Sequence, residues 1–183
     1  MSRKYKFYNP EGIYFVSFAT IYWIDVFIRN IYKNVFLESV QYCQKHKGLK
    51  VHAWVIMTSH VHMIISSTCN KLEDIMRDMK SYTSGKIRNE IIINPQESRK
   101  EWMLWLMKRA GRKNGNNNDF QFWQQHNHPI ELSYNKIMKQ KLDYLHNNPV
   151  KAGFVNSPEE YKYSSAIDYI GGKGLLDDIE LIE

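Results

Sequence analysis

The sequence predicts an α+β fold in which an antiparallel sheet carries helices packed mainly on one face. Three observations predict it. Aromatic and β-branched runs of strand length alternate with longer segments of helical period, in the order strand, helix, strand, strand, helix. The second and third strands are separated only by Thr58 and Ser59, which implies a tight antiparallel hairpin. The composition, 43% hydrophobic and 24% charged over 183 residues, suits one globular domain with a sizeable core.

The elements follow in order. Ile13–Thr20 (IYFVSFAT) reads as the first strand. Asn30–Lys47, with apolar Ile31, Val35, Val40 and Cys43 between polar residues, reads as a helix closed by Gly48. Leu49–Met57 and His60–Ser66 are the hairpin strands. Lys71–Asn89 is the second helix, because Leu72, Ile75, Met76 and Met79 fall at i, i+3, i+4 and i+7. A last strand would complete a ferredoxin-like layer, and Phe120–Trp123 is the run best suited to it.

The stretch at about 95–119 is an insertion. Ser98 and Glu101 have capping-box spacing and Gly111 a stop position, which predicts a helix over Arg99–Ala110. A polar loop, GRKNGNNND, follows. Ser133–Asn147 is a further helix, ended by Pro149. From about residue 156 the chain is less regular, and the acidic LLDDIELIE is expected to form a small edge strand. The whole of 1–183 is read as one domain.

The net charge is +6 and the isoelectric point about 9.2, which favours a polyanionic partner. Within the insertion, the segment 99–113 sets Arg99, Lys100, Lys108, Arg109, Arg112 and Lys113 against Glu101 alone, so most of the excess charge lies there. These six are the leading nucleic-acid contacts. Arg77 and Lys80 on the second helix, and Lys141, are further candidates. Trp102, Trp105 and Trp123 offer planes for unstacked bases, with core packing the favoured place for Trp105. No stretch approaches the roughly 20 apolar residues of a membrane span. Neither the start MSRKYKFYNP nor the two cysteines, Cys43 and Cys69, indicate secretion or a zinc site, and a cytoplasmic setting is expected.

Two patterns carry chemistry. In His60-Val61-His62, strand alternation turns both imidazoles to one face, where they can chelate one divalent ion, and turns Val61, Met63 and Ile65 to the core. Alternatively they are polar residues on the wet face of a half-buried strand. Tyr144 lies on a helical stripe with Ile137, Lys141 and Asn148. A phenol with a pKa near 10 is a poor nucleophile unless a nearby cation and a metal assist it; a core tyrosine is the plain alternative. His126-Asn127-His128 is a second such pair, read either as an auxiliary to ligand placement or as loop histidines.

Five blocks in this order, IYFVSFAT, VHAWVIMTSHVHMII, LEDIMRDMKSYTSGKI, FWQQHNHPIEL and KLDYLHNNPVKAGFV, resemble the REP-associated tyrosine transposases, part of the HUH single-tyrosine transposases of small insertion sequences. The resemblance runs from about Tyr14 to Tyr169. It implies a HUH endonuclease-like fold, with His60 and His62 as ligands of Mg²⁺ or Mn²⁺ and Tyr144 as nucleophile. Asn148 falls where related enzymes place a Gln that completes the metal site, and its side chain is one methylene shorter. The implied activity is nicking and strand transfer of single-stranded, hairpin-bearing DNA through a 5′-phosphotyrosine, by a monomer or homodimer. Mn²⁺ tolerates nitrogen ligands better than Mg²⁺ and is expected to serve at least as well. Alternatives are a non-catalytic hairpin-binding module of the same fold, and an RNA-binding ferredoxin-like domain, which would want exposed aromatics where HVH stands.

Overall fold

The computed structural model describes residues 7–115 and 119–182, so 116–118 of the predicted polar loop lie outside them. β1 (Tyr14–Ala19) leads to α1 (Asn30–Lys47), then to the hairpin of β2 (Leu49–Ile56) and β3 (His60–Ser67), and to α2 (Leu72–Ile93). α3 (Lys100–Arg112), a two-residue β4 (Ile130–Glu131), α4 (Asn135–His146) and the single turn α5 (Asn148–Lys151) complete the set. The sheet order is β2-β3-β1-β4 and every pair is antiparallel. β3 therefore inserts between β1 and β2, which is the ferredoxin-like arrangement.

Strand alternation divides the core. Val16 and Phe18 of β1, Trp54 and Ile56 of β2, and Val61, Met63 and Ile65 of β3 pack toward α1, α2 and α3. Phe15, Ala53, Val55 and Ile64 point the other way and are covered by α4 through Leu145, Ile137, Met138 and Leu142. Three helices thus lie on one face and the tyrosine helix on the other. The Thr58–Ser59 turn is clamped from outside: Phe27 N–H donates to the Thr58 carbonyl (2.8 Å) and Thr20 N–H to that of Ser59 (2.9 Å). Those bonds set a register that Thr-Ser itself does not.

Several predicted boundaries shift for identifiable reasons. α2 continues four residues past Asn89, because Ile87 and Ile91 extend its buried stripe and Asn94, before Pro95, takes an extended conformation. Phe120–Trp123 is not the last strand. Phe122 and Trp123 sink into the core, and only Thr20 bridges to Trp123 beyond the end of β1. The sheet is completed instead by Ile130–Glu131, beside Tyr14 and Phe15. The acidic tail reaches the free edge of β2 through a single parallel bridge, Val51 to Ile179. Residues 163–165 cover the same edge, with Ile56 N–H donating to the Tyr163 carbonyl and Ser165 N–H to that of Trp54. No helix among the described residues is long and apolar enough to cross a membrane.

The Ser98–Glu101 capping box does not form. The buried Glu97 carboxylate occupies that corner instead, accepting bonds from Arg29 Nε (2.7 Å), Tyr32 Oη (3.1 Å) and the Arg99 backbone (3.2 Å). Burial alone would raise its pKa, but the Arg99 and Arg29 bonds hold it below the usual range. Gly111 is not a stop; it lies inside α3, where a β-carbon would come 2.6 Å from Phe120 Cα. Its hydrogen lets the 120–124 strand-like segment lie against the helix. Replacing Gly111 with Ala is expected to lower unfolding stability by about 1–3 kcal/mol, read by urea denaturation, despite the helix propensity gained.

Candidate functional site

The site is built on the sheet face that α4 covers. In the β1–β3 register, His62 lies opposite Ser17 and His60 opposite Ala19. Period-two alternation puts both imidazoles on the face of Phe15 and Ile64. Their ring centroids are 4.8 Å apart. Phe15 stacks on His62 at 5.4 Å and 24°, fixing the ring plane from below. Trp23 meets His60 edge-to-face at 5.5 Å, and the Ser59 hydroxyl lies 3.3 Å from His60 Nδ1.

α4 brings the tyrosine. Leu145 is fully buried against the sheet, while Tyr144, one residue earlier, is 40% exposed. Its ring lies 5.4 Å from that of His62 and 6.1 Å from that of Phe15. His60 and His62, 84 and 82 residues before Tyr144 in the chain, thus meet it within one molecule.

Two cations flank the tyrosine. Lys141 Nζ stands 5.7 Å and Lys151 Nζ 5.8 Å from the Tyr144 ring centre, and Lys141 also lies over Phe15. Lys151 was not legible as a partner because Pro149 reads as the end of the helix. Pro149 instead opens α5, and the stripe Lys141, Tyr144, Asn148, Lys151 continues across it. Asn148 is turned back on its own helix, its Nδ2 donating to the Tyr144 carbonyl at 3.5 Å.

His62 is the most unusual group. Both its ring nitrogens are buried with no hydrogen-bond partner among the described residues. Burial, with the neighbouring Lys141 cation and the coupling to His60 adding, pushes it down to about 3, and burial lowers His60 as well. Both imidazoles are therefore neutral at physiological pH, the form whose lone pair binds a metal. Among the described residues no group of three or more His, Cys, Asp or Glu side chains is placed to hold a metal ion. A two-imidazole site would be completed by amide, water or phosphate oxygens.

The other predicted contacts separate into two groups. Arg99 is an internal strut, bonded to Asp25 (2.6 Å) and Glu97 (3.2 Å). Lys80 donates to the Gln124 carbonyl and Asn127 Oδ1, both at 2.8 Å. Burial pushes its pKa down to about 8. Lys100 donates to the Ile92 carbonyl, and Arg77 pairs with Asp74 and Asp78. Lys108, Arg109, Arg112 and Lys113 are exposed on and just after the last turns of α3. Trp105, expected in the core, is 57% exposed beneath Arg109, and Trp102 is 50% exposed. Trp123 is buried, its Nε1 donating to Thr83, and offers no plane to a ligand. His126 and His128 lie 5.9 Å apart in the loop along β1, where Asn127 accepts the Ser17 N–H. They are not on the His60–His62 strand.

This is the fold of a DNA transposase: one solved structure, that of a REP-associated tyrosine transposase bound to a REP hairpin, superposes with a TM-score of 0.67 over 100% of this chain and 99% of that one, at 15% identity. Residues 11–108 match the model of the IS200-like transposases, and the chain belongs to that family. A Deinococcus radiodurans R1 protein described as a transposase is a more distant likeness, with a TM-score of 0.46, 16% identity and coverage of 80% of this chain and 97% of that one. No curated protein sequence matches the chain.

The environment behind the tyrosine gives a pH prediction. His146 is buried, bonded to Ser165 Oγ at 2.9 Å, and burial pushes it down to about 4. The unfolded chain, with an ordinary histidine pKa near 6.5, takes up the proton first, so stability falls as pH drops from 6.5 toward 4. Between pH 7 and 5 the loss from this residue should be on the order of 2 kcal/mol. Urea unfolding of wild type and His146→Gln at both pH values measures it, and a smaller loss in the variant is expected.

Proposed function

We propose that the protein is a metal-dependent single-strand DNA transposase that cuts and rejoins strands through Tyr144. The observation that carries this reading is the meeting of Tyr144 with the neutral, unpartnered His62 beside His60. A buried imidazole with two unsatisfied nitrogens is costly in a resting protein. A divalent ion, Mg²⁺ or Mn²⁺, held by His60 and His62 would engage one of them, so the donor set fits the group. When bound, such an ion supplies charge that polarises the scissile phosphate. Asn148 Oδ1 and water are candidates for its remaining positions.

The chain's own residues do the rest. Lys141 and Lys151, on either side of Tyr144, attract the phosphate and offset the negative charge that builds on it during the attack. The Tyr144 oxygen forms a bond to phosphorus as its proton passes to water. The P–O3′ bond breaks, and the 3′ oxygen takes up a proton and departs as a free hydroxyl. DNA stays joined to Tyr144 by its 5′ phosphate. Attack by a different 3′-OH reverses the step and joins strands without a nucleotide cofactor. Phe15 holds the His62 plane, and Leu145 holds Tyr144 in reach. Single-stranded DNA carrying a hairpin is the substrate class, by analogy with the hairpin bound to the structural relative. Lys108, Arg109, Arg112 and Lys113 are its charged approach, and one chain contains all the groups needed for one cut.

The test is a covalent-complex assay with Mn²⁺ and labelled single strands from the regions flanking the gene. A protein–DNA band resistant to denaturation is expected, absent in Tyr144→Phe. His62→Ala should lower its yield at least about 10- to 100-fold and weaken Mn²⁺ binding measured by electron paramagnetic resonance. Hairpin binding without a band under any metal would make the protein a binding module and sink the reading.

Lys151→Ala is expected to slow adduct formation roughly 10- to 100-fold while leaving Mn²⁺ affinity unchanged. Equal mixtures of Tyr144→Phe and His62→Ala chains should give no more adduct than His62→Ala alone. Restored adduct would mean that the tyrosine works across a dimer.

A further inference from the structure

Tyr22 and Trp23 are consecutive non-glycine residues with φ of 52° and 55°. This left-handed region crowds the β-carbon of an L residue, and two such residues in succession are rare. The fold holds them there from both sides. Ile21 and Ile24 are buried. The Thr20 hydroxyl donates to the Ile24 carbonyl (2.7 Å), and Ile21 N–H donates to the Phe122 carbonyl (2.8 Å). The consequence is two rings thrust outward, Tyr22 at 49% and Trp23 at 59% exposure. A turn that needed only to connect β1 to α1 would have no use for this conformation.

The place where the rings stand gives the strain a purpose. Trp23 touches His60 on one side. On the other, with Tyr22, it walls an open cleft whose remaining lining includes Gln121, Gln124, Gln125 and Lys113. Gln121 is held at both ends, its Nε2 donating to the Trp123 carbonyl and its Oε1 accepting from Asn114 Nδ2. Gln124 is held at its nitrogen, which donates to the Thr20 carbonyl, and Gln125 is exposed, so these two are the amides placed to meet a base. The cleft thus combines an aromatic plane, amide groups able to pair with the edge of a base, and one cation for a phosphate. It lies beside the histidine pair and leads toward the exposed basic end of α3.

We propose that this cleft is a pocket for one unpaired nucleobase of the single strand, stacked on Trp23, one nucleotide from the phosphate that Tyr144 attacks. The proposal rests on the transposase reading for its position relative to the cut. The stacking itself stands on the cleft alone. Stacking keeps the strand single at this point and sets which phosphate reaches His60 and His62. The Gln amides then discriminate among bases.

The test uses Tyr144→Phe protein, so that no cutting intervenes, and hairpin-free 12-nucleotide homopolymers with one central 2-aminopurine. Bound probe should lose fluorescence through stacking. Trp23→Ala should abolish that quenching and weaken binding roughly tenfold, and Trp23→Phe should restore most of both. A circular-dichroism melt no lower than the parent's shows that Trp23→Ala folds. Quenching and affinity unchanged in a folded Trp23→Ala chain overturn the pocket. In the Tyr144 background, Trp23→Ala should shift or blur the cut position while Mn²⁺ binding persists; a cut of unchanged position and rate overturns the placement. Trp23-dependent quenching without any covalent adduct from the wild-type chain would keep the base pocket and discard the transposase reading instead.

Discussion

The packing of α4 across the sheet is the interaction on which the rest depends. Its buried side, Leu145 with Ile137, Met138 and Leu142, sits on Phe15, Ala53, Val55 and Ile64. A leucine buried as fully as Leu145 contributes about 2–3 kcal/mol by area. That contact makes the helix orientation definite, because any rotation that exposes Leu145 withdraws Tyr144 from His62. The nucleophile candidate is thus held by its neighbour, with its own ring left 40% open. Burying the tyrosine to hold it would have closed its hydroxyl to any ligand.

The same logic governs the opposite wall. Period two in β3 gives Val61, Met63 and Ile65 to the large core and His60, His62 and Ile64 to the site. A register slip of one residue would exchange those sets and bury two imidazoles among α1 and α2. The clamped Thr58–Ser59 turn prevents it, through backbone bonds from Thr20 and Phe27. Fold stability and site geometry are therefore enforced by one set of bonds.

The parts of this arrangement that were legible in the sequence are those set by local period. α1 appears with the predicted bounds, and the orientation of His60 and His62 follows from alternation alone. The placement of the last strand was not legible: Phe120–Trp123 has the composition of a strand, and only the space between α3 and the β1 turn shows that Phe122 and Trp123 are core. Charge was misleading for a related reason. A composition cannot tell Arg99, locked between Asp25 and Glu97, from Arg109, lying over an exposed indole. Lys151 was hidden by a proline rule that is sound for helix interiors, although proline also suits the first turn of a new helix. Trp23 gave no signal at all, since a positive φ at a tryptophan is dictated by buried neighbours and not by its own preference.

The costly features of the molecule gather on one rim. His62 has two unsatisfied nitrogens, Tyr22 and Trp23 have left-handed backbone, and Lys141 and Lys151 crowd like charges around one phenol. His128, also at positive φ, stands in the loop along the neighbouring edge of β1. Each departs from what an independently optimised fold would choose. Their common remedy is an anion bearing a flat ring. Under the proposed function, a phosphate would answer the lysines and, with a divalent ion, the imidazole, while a base would answer the indole. A nucleotide strand carries both at a fixed spacing, so under the proposed function these otherwise separate costs are relieved by the same partner.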